Sequence, residues 1–545
     1  LKTLVTSAQL FIKQEFIAFI KDQFRNRKSG LNIQSFNDIL LNLRQALVED
    51  QGGRFHQLIR LKFKAVMIDE FQDTDPVQYE IFKRVFLDDD SHPVFLIGDP
   101  KQSIYQFRGA DIFAYLKAKN RVSTCWTLET NYRSESGMID AVNHLFIQQK
   151  DLIVSEINPF LESDIPYRFV QAGGMAEQKG RLLIDGKKPE SQLELLYLSK
   201  DSPCNSESGR QASVETVARN IVDLVNMGNK GKAMFAAENG NNTALQPSDI
   251  AVLVRNHQEA RQIQQCLLGY GVSSVLQSSG NVLKSEEADH MFCFLAAVVD
   301  PGEFTLRPFF LTPFVGKDVT TLKNVSDDEL QRWYQVMLEM QRIWMHTGFI
   351  SMFRTFMTQE RVHERILQTK NGERTITNIL HLAELIHKQA IGQKLAIDNV
   401  LTWFNEKITH LEDKPEYEIY LESDADAVRI ITVHSSKGLE FNVVFCAFEW
   451  GRKFVSRWMT KTESIQFYNR INQQWELDIQ KGGPARDDHV RGMYHETLAE
   501  NLRLLYVALT RARNKVYLLA GDFKDTQLSA LNYLVTGSKF SDIGE

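Results

Sequence analysis

The sequence is poor in cysteine and has no long apolar run, and these two absences exclude several classes of protein. Its five cysteines are scattered and form no C-x-x-C pair, which argues against a zinc site, an iron–sulfur cluster and a disulfide scaffold. No apolar run reaches the ~18 residues that a transmembrane helix needs. The scattered thiols fit a reducing compartment, so we expect a cytoplasmic location.

An excess of charge of one sign is also missing. The 545 residues carry 63 Lys and Arg against 69 Asp and Glu, a formal net charge of −6. This balance excludes a broadly basic surface for nucleic acid. The apolar fraction of 43% is that of an ordinary globular protein, and a chain of this length forms about three to five domains.

Apolar patterning predicts an α/β chain. Near-helical spacing of large apolar residues predicts helices within residues 1–60, the second of them capped by residues 35–38. Continuous apolar runs at 65–68 and 94–97 end abruptly in polar residues and predict parallel strands that are buried on both faces. Further strands are predicted at 123–128, 193–197, 250–254, 428–433, 443–446 and 516–519, and a helix at 214–225.

Residues 305–415 differ from the rest because their periodicity is helical throughout. The stretch is rich in Trp, Met and Leu and contains no strand-like run. We therefore expect a helical insertion within the α/β chain, in which Trp333, Trp344 and Trp403 pack in a core or an interface.

Two adjacent acids, Asp69 and Glu70, follow the first predicted strand. Ligands of open α/β sheets bind at the carboxyl ends of the strands. Successive side chains diverge there, so that one acid can face a metal and the other a water molecule, as in nucleoside triphosphatases. Taken alone, an Asp-Glu pair is more often an ordinary polar strand end, so its interpretation depends on the rest of the sequence.

Five segments in a fixed order supply that context: Asp69–Asp75 (DEFQDTD), Gly98–Asp111 (GDPKQSIYQFRGAD), Asn131–Ser134 (NYRS), His434–Phe441 (HSSKGLEF) and Leu505–Arg513 (LYVALTRAR). In this order they resemble motifs II to VI of the superfamily 1A DNA helicases of the UvrD, Rep and PcrA type. The amino-acid sequences at 71–75 and 105–108 are most similar to those of the RecB subunits of RecBCD-type enzymes. The resemblance covers about residues 35–520.

The resemblance implies a site for ATP and Mg²⁺. Asp69 would hold the metal and Glu70 would act as the hydrolytic base. Gln102 would sense the γ-phosphate and couple it to DNA.

The same resemblance implies further nucleotide contacts. Arg133 and Arg511 match the two phosphate-contacting arginines of the family, and a planar guanidinium group can neutralise several developing charges on a transferring phosphoryl group. Tyr132 would stack on the adenine. Glu440 would contact the ribose or help to bind the phosphates.

DNA contacts are expected from aromatic as well as basic residues. Tyr105, Phe107 and Arg108 lie in one segment and can offer a stacking face with a phosphate partner, which tolerates any base sequence. Many relatives have Trp at the position of Phe107, and a buried Tyr/Phe pair is the alternative interpretation. His434 and Lys437 resemble motif V residues near the DNA backbone and the domain interface.

A phosphate-binding loop of the form GxxxxGK[ST] is absent from the sequence. Its Gly-Lys pairs at 186–187, 231–232 and 316–317 are followed by Lys, Ala and Asp instead of Ser or Thr. Because the chain also begins at Leu1, we expect it to lack the N-terminal ATP-binding segment of the family. A nuclease domain, expected beyond about residue 530, is also not found, so that exonuclease activity is not carried over.

The fold expected from the resemblance is α/β, with two RecA-like P-loop NTPase domains, the first incomplete, and a mainly helical insertion. The expected division is a helical remnant of a 1B-like insertion (1–34), a partial domain 1A (35–128), the first segment of domain 2A (129–305), a helical 2B-like domain (306–420) and the second segment of 2A (421–545).

The expected function is that of an ATP-dependent 3′–5′ DNA helicase or translocase subunit in a RecBCD-type complex for repair and recombination. RecC-like and RecD-like partners are implied by the resemblance only. We expect this chain to hydrolyse ATP feebly or not at all by itself. The alternative is a non-catalytic, DNA-binding or scaffolding subunit with a degenerate ATP site.

Overall fold

The chain forms two compact units, Leu1–Ser274 with Val428–Glu545, and Val275–Ala427. The computed structural model describes residues 2–31, 33–50, 53–88, 92–147, 158–174, 178, 180–199, 206–237, 240, 242–277, 281–322, 325–369, 372–410, 417, 426–451, 464–479, 485–523, 526 and 529–536. Among these residues, no helix is both long and apolar enough to cross a membrane.

The strands in chain order are β1 (Val66–Ile68), β2 (Val94–Leu96), β3 (Thr130–Asn131), β4 (Gln171–Ala172), β5 (Arg181–Ile184), β6 (Leu193–Leu198), β7 (Ala233–Ala236), β8 (Asn242–Ala244), β9 (Ile250–Val254), β10 (Ser274–Gln277), β11 (Val428–Thr432), β12 (Phe441–Cys446), β13 (Ile465–Asn469), β14 (Gln474–Asp478) and β15 (Ala512–Gly521).

The helices of the first unit are α1 (Lys2–Gly30), α2 (Phe36–Glu49), α3 (Arg54–Lys62), α4 (Pro76–Phe82), α5 (Ile112–Lys119), α6 (Ser136–Phe146), α7 (Ser206–Asn229) and α8 (His257–Gly269). Those of the second unit are α9 (Glu286–Val299), α10 (Glu303–Phe310), α11 (Val319–Leu322), α12 (Asp327–Thr347), α13 (Phe349–Gln359), α14 (Val362–Leu367), α15 (Gly372–Gly392) and α16 (Ile397–Thr409). The first unit resumes with α17 (Arg486–Leu509) and α18 (Ala530–Thr536).

Strands β1 and β2 form a small parallel sheet in which Val66 pairs with Val94 and Ile68 with Leu96. Helix α2, which comes before α3 and the small sheet in the chain, starts where the sequence predicts, because Ser35 and Asp38 form a reciprocal capping box. Apolar side chains of α2, α3 and α4 cover one face of this small sheet. The parallel pairing of the two predicted strands is thus confirmed.

The predicted burial of the small sheet on both faces is wrong. Met67 is 70% exposed and Phe95 53% exposed, because in the described part of the chain this sheet has two strands and one covered face. The predicted strand at 123–128 is also wrong. No described residue forms β-pairing with that stretch, where Trp126 and Leu128 are exposed. A β-strand needs a neighbouring strand to complete its backbone hydrogen bonds.

A large sheet forms the centre of the first unit, where its strand order is β11-β9-β12-β15-β6. The strands from β11 to β6 are parallel to their neighbours. Helices pack on the sheet, among them α6, α7, α8 and α17. Every residue of β9 is buried, as predicted for a strand covered on both faces, and the predicted strands at 428–433, 443–446 and 516–519 coincide with β11, β12 and β15. The chain is therefore α/β with a parallel sheet.

The second unit is helical over most of its described length and has its own apolar core. Phe294 lies in this core with its ring centroid 4.7 Å from that of Phe356 and 5.3 Å from that of Phe314. Trp333 and Trp344 are buried, and Trp403 packs against the same core, which confirms that these tryptophans have a packing role. The five-part division of the chain stays a prediction.

Truncating Phe294 tests how much this core contributes to stability. We expect Phe294→Ala to lower the free energy of unfolding of the helical unit by about 3–5 kcal/mol, because it leaves a cavity among well-packed rings. Phe304→Ala is the matched control, since Phe304 lies in the same unit but is 95% exposed. Urea unfolding followed by circular dichroism measures both variants, and equal losses of stability would contradict the assignment of the core.

Candidate nucleotide and nucleic-acid site

The loop after β2, residues 98–111, packs tightly against the acidic segment after β1. A Cβ atom at Gly98 would overlap the side-chain oxygen of Gln72, so that glycine allows this close approach. The Gln72 amide is fully buried. Its Oε1 accepts a hydrogen bond from the Asp99 N–H at 2.9 Å, and its Nε2 donates to the Glu70 carboxylate. One buried amide therefore fixes the two segments to each other.

Asp69 and Glu70 point in different directions, as their position at the end of β1 predicts. Glu70 has a left-handed backbone with a φ of 50°, and the Asp69 carboxylate accepts its N–H at 2.9 Å. Glu70 turns towards Gln72 and Lys437, while no described residue forms a salt bridge with Asp69. A carboxylate at a strand end is the kind of oxygen ligand that Mg²⁺ takes, so Asp69 fits the predicted metal site.

Lys437 is one of the residues that the sequence predicts to lie near DNA. In the structure its side chain lies inside the site, against the acidic segment. Its side chain is only 6% exposed. Its Nζ lies 2.5 Å from Asp73 Oδ2 and 3.3 Å from Glu70 Oε2, and it donates to the Gln102 carbonyl at 3.0 Å. Burial raises the pKa of Asp73, and the nearby ammonium group of Lys437 opposes that shift. One ammonium group thus joins three of the five recognised segments.

Two arginines converge on Thr510 at the end of α17. The backbone N–H of Arg133 donates to the Asn131 side chain at 2.7 Å. The Arg133 guanidinium group donates to the Thr510 carbonyl at 3.5 Å. Arg511 donates to the Thr510 hydroxyl at 3.2 Å. Glu440 lies 3.5 Å from Arg133. The predicted residues Arg133, Arg511 and Glu440 are therefore brought together.

The Arg511 guanidinium group is buried next to a like charge. Burial, followed by the positive charge of Arg133, lowers its pKa to about 10. Because desolvated guanidinium groups bind anions strongly, this pair has the chemistry of a phosphate site.

Tyr132 lies at the edge of the same group of residues. A Cβ atom at Gly173 would overlap its ring, so that the ring packs directly on the backbone of that glycine. The side chain nevertheless remains exposed. This exposed aromatic ring directly precedes Arg133 in the chain and is available for stacking on a planar base, the role that the sequence predicts for it.

Four of the five residues predicted to contact DNA form an aromatic cluster. The fifth, Lys437, lies against this cluster. The Phe107 ring meets the His434 ring edge-on at 5.1 Å, and its centroid lies 6.1 Å from that of Tyr105. The Arg108 guanidinium carbon lies 5.2 Å from the Tyr105 ring and 5.6 Å from the Phe107 ring. Tyr105 donates its hydroxyl to the His434 carbonyl at 3.0 Å.

Phe107 differs from its neighbours in the cluster because its ring is open to solvent. It is 59% exposed, whereas Tyr105 is partly buried. The alternative of a buried Tyr/Phe pair therefore does not describe this structure. An exposed ring backed by Tyr105, His434 and a guanidinium group can stack on a base beside a phosphate partner.

Two basic side chains hold consecutive carbonyls of the 98–111 loop. Lys437 donates to the carbonyl of Gln102, and the Arg503 Nε donates to that of Ser103 at 2.7 Å. Arg503 is not among the residues that the five segments predict to be functional. The sequence does contain an indication of its importance. A lone arginine interrupts the apolar run Leu502-Arg503-Leu504-Leu505, in a helix that continues into the 505–513 segment.

A separate acidic group of the described residues is paired with an arginine. The side chains of Glu162, His495 and Glu496 could reach a common ion. However, the Arg470 guanidinium group lies 2.5 Å from Glu162 and 3.7 Å from Glu496. The two carboxylates thus already share the positive charge of one guanidinium group.

Comparison with known proteins agrees with this geometry. The family model of the UvrD/REP helicase N-terminal domain matches residues 6–123, and that of the UvrD-like helicase C-terminal domain matches residues 321–521. These two ranges contain the segments at 69–75, 98–111, 434–441 and 505–513.

Curated relatives of the chain are RecB subunits of the RecBCD enzyme. The chain is 34% identical to RecB of Escherichia coli strain K12 over 91% of its own length and 40% of that protein. It is 32% identical to RecB of Haemophilus influenzae over 92% of its length and 40% of the relative, and 29% identical to RecB of Mycobacterium tuberculosis over 93% and 44%. The chain thus spans about two fifths of these relatives. With both helicase domain models matched and the RecB subunits as relatives, the chain belongs to the UvrD-like helicase family.

Proposed function

We propose that this chain is the motor part of an ATP-dependent 3′–5′ DNA helicase or translocase subunit that acts in DNA repair and recombination. One observation supports the proposal above all. The residues expected to bind nucleotide and those expected to bind DNA form two separate groups, and the single 98–111 loop contributes to both. A motor that converts nucleotide turnover into movement along a strand needs such a shared element.

The nucleotide group has the parts needed for phosphoryl transfer to water. Arg133 and Arg511 neutralise charge on the phosphates, and Tyr132 stacks on the base. Glu70, oriented by Gln72 and Lys437, orients and deprotonates the attacking water. Asp69 would hold Mg²⁺, and the metal supplies further neutralisation of phosphate charge.

Gln102 lies between the two groups. Its side-chain amide donates to Asp99 at 3.1 Å, and its carbonyl accepts from Lys437. Lys437 thus holds the backbone of Gln102, three residues before Tyr105. A change at the γ-phosphate that moves the Gln102 side chain therefore acts on this part of the loop. This arrangement agrees with the proposed sensing role of Gln102.

The DNA group favours single strands without base-sequence preference. Phe107 offers an exposed ring, and Arg108 offers a cation next to it. Stacking on any base contributes ~1–3 kcal/mol, which suits a translocating protein. Lys437 is held by carboxylates in this structure, so we assign it to joining the segments rather than to direct DNA contact.

The proposal for the wider assembly is based on the relatives, which are RecB subunits of the RecBCD enzyme. We propose that the chain belongs to a RecBCD-type complex with RecC-like and RecD-like partners. We also propose that the small and large sheets are parts of two RecA-like domains and that residues 306–420 are a 2B-like insertion.

A second candidate function is a DNA-binding or scaffolding subunit with a degenerate ATP site. The absence of a GxxxxGK[ST] segment from the sequence favours it. The retention of Asp69, Glu70, Gln102, Arg133 and Arg511 in one arrangement favours the helicase subunit. The two functions differ in whether nucleotide binds at the arginine pair.

Nucleotide binding distinguishes the two candidates. We expect a fluorescent ATP analogue to bind the chain, and Arg133→Ala to weaken that binding about 10- to 100-fold, because a charge-assisted hydrogen bond to a phosphate contributes ~1.5–3 kcal/mol. Arg168→Ala is the control, since Arg168 is an exposed arginine whose guanidinium group bonds to Thr127. A fluorescence titration measures each dissociation constant.

Equal binding by the Arg133→Ala and Arg168→Ala variants, or no binding at all, would contradict the helicase assignment and favour the scaffold. We expect hydrolysis to remain feeble or undetectable even when nucleotide binds, since the sequence has no phosphate-binding loop. Strong DNA-stimulated hydrolysis that Glu70→Gln abolishes would contradict this last expectation.

Stacking by Phe107 is tested by its removal. We expect Phe107→Ala to weaken binding of single-stranded DNA about 5- to 150-fold, which corresponds to the loss of one base stack of ~1–3 kcal/mol. Phe169→Ala is a matched control, because Phe169 is 56% exposed and lies outside the cluster. Fluorescence anisotropy of labelled oligo-dT at fixed salt measures both. Similar affinities for the two variants would mean that Phe107 does not stack on the strand.

A further inference from the structure

Arg503 is a buried cation that none of the proposed chemical steps uses. Its side chain, on α17, is 1% exposed, and its Nε donates to the Ser103 carbonyl at 2.7 Å. Its Nη1 has no hydrogen-bond partner among the described residues. Burial lowers the pKa of Arg503, and the glutamates near it, first Glu500 and then Glu496, oppose that shift.

Packing alone does not explain an arginine at this position. A buried guanidinium group with an unsatisfied N–H is less favourable than an apolar side chain of similar volume. Its neighbours in the sequence, Leu502, Leu504 and Leu505, show that apolar residues fit this part of α17. Among the described residues, the bond that needs a donor at this position is the bond from Arg503 Nε to the Ser103 carbonyl of the 98–111 loop.

That bond lies between the two functional groups. Ser103 comes directly after Gln102 and two residues before Tyr105, so the carbonyl that Arg503 holds separates the nucleotide-sensing residue from the DNA cluster. Lys437 holds the preceding carbonyl and also contacts Glu70. Restraint at two consecutive carbonyls leaves the loop little freedom to move independently of the elements that hold it.

Helix α17 connects the same loop to the arginine pair. Arg503 lies one turn before Tyr506, whose ring centroid is 5.6 Å from the Lys101 ammonium group of the loop. The helix ends at Leu509, and Thr510 and Arg511 follow directly. A rigid helix with Arg503 near one end of this stretch and Arg511 at the other transmits a displacement at the phosphates to Ser103.

We propose that Arg503 is a positioning residue that couples nucleotide binding at Arg133 and Arg511 to the grip of Tyr105 and Phe107 on single-stranded DNA. The proposal rests on the proposed function, because it needs both ligands to bind. Arg503 contacts neither ligand. It holds the Ser103 carbonyl, so that a shift of α17 is passed to the DNA-binding end of the loop.

The coupling is measured as a ratio of two dissociation constants in the complete 545-residue chain. Anisotropy of labelled oligo-dT gives the affinity without nucleotide and with a saturating non-hydrolysable ATP analogue. We expect nucleotide to change the affinity of the unmodified chain by about 5-fold or more. In Arg503→Met the ratio should fall to about 1, while the affinity for each ligand alone stays within about 3-fold of the unmodified chain.

Two further variants keep the test decisive. Arg470→Met is the matched control, because Arg470 pairs with Glu162 and Glu496, two glutamates whose charge also acts on Arg503. Within the described part of the chain, Arg470 makes no bond to the 98–111 loop, so this variant should retain the full ratio. Arg503→Lys keeps the charge but places its donor at a different distance from the Ser103 carbonyl, so it should also reduce the ratio. This variant provides the test if Arg503→Met does not fold. Circular dichroism and thermal unfolding identify variants that fail to fold.

Each outcome bears on one of the two proposals. Failure of the unmodified chain to bind nucleotide or oligo-dT contradicts the proposed function itself. If both ligands bind but nucleotide leaves the DNA affinity unchanged, or if folded Arg503 variants retain the ratio of the unmodified chain, the role of Arg503 is overturned. Loss of the ratio in the Arg503 variants, with Arg470→Met unaffected, supports it.

Discussion

The arrangement of the site depends on one buried ammonium group. Lys437 Nζ lies between the carboxylates of Asp73 and Glu70 and also bonds to the Gln102 carbonyl. Loss of this cation would remove the ammonium group that pairs with both acids, which costs more than an ordinary surface ion pair contributes. Segments that are more than 300 residues apart in the chain are therefore held in one geometry by a single side chain.

The 98–111 loop gains its importance from that restraint. One end carries Gln102 beside the acidic residues, and the other carries the exposed Phe107 ring next to Arg108 and His434. The positive charge that acts on ligands is concentrated at Arg133, Arg511 and this cluster. A net charge of −6 is thus compatible with the proposed binding of a polyanion, since the local arrangement of charges rather than the whole surface determines the potential there.

Much of this arrangement could be predicted from the sequence, because local patterns carry it. The capping box before α2, the parallel pairing of β1 with β2 and the burial of β9 follow from residues that are neighbours in the chain. The grouping of Arg133 with Arg511 followed from the motif resemblance. The sequence alone did not show where the Lys437 ammonium group points or which carbonyl Arg503 holds, since both depend on contacts across the fold. The burial of β1 was mispredicted for a similar reason, because an apolar run does not show how many strands or helices cover it.

The central claim is that the 98–111 loop responds to both ligands, and hydrogen–deuterium exchange tests it most directly. Several amides of the loop, among them those of Gln102, Ser103 and Arg108, donate to carbonyls within it, so their exchange reports its motion. We predict that an ATP analogue alone and single-stranded DNA alone each slow exchange across residues 101–109. Slower exchange with DNA but none with the nucleotide, despite protection around Arg133 and Arg511, would show that the two groups of residues are not joined through this loop.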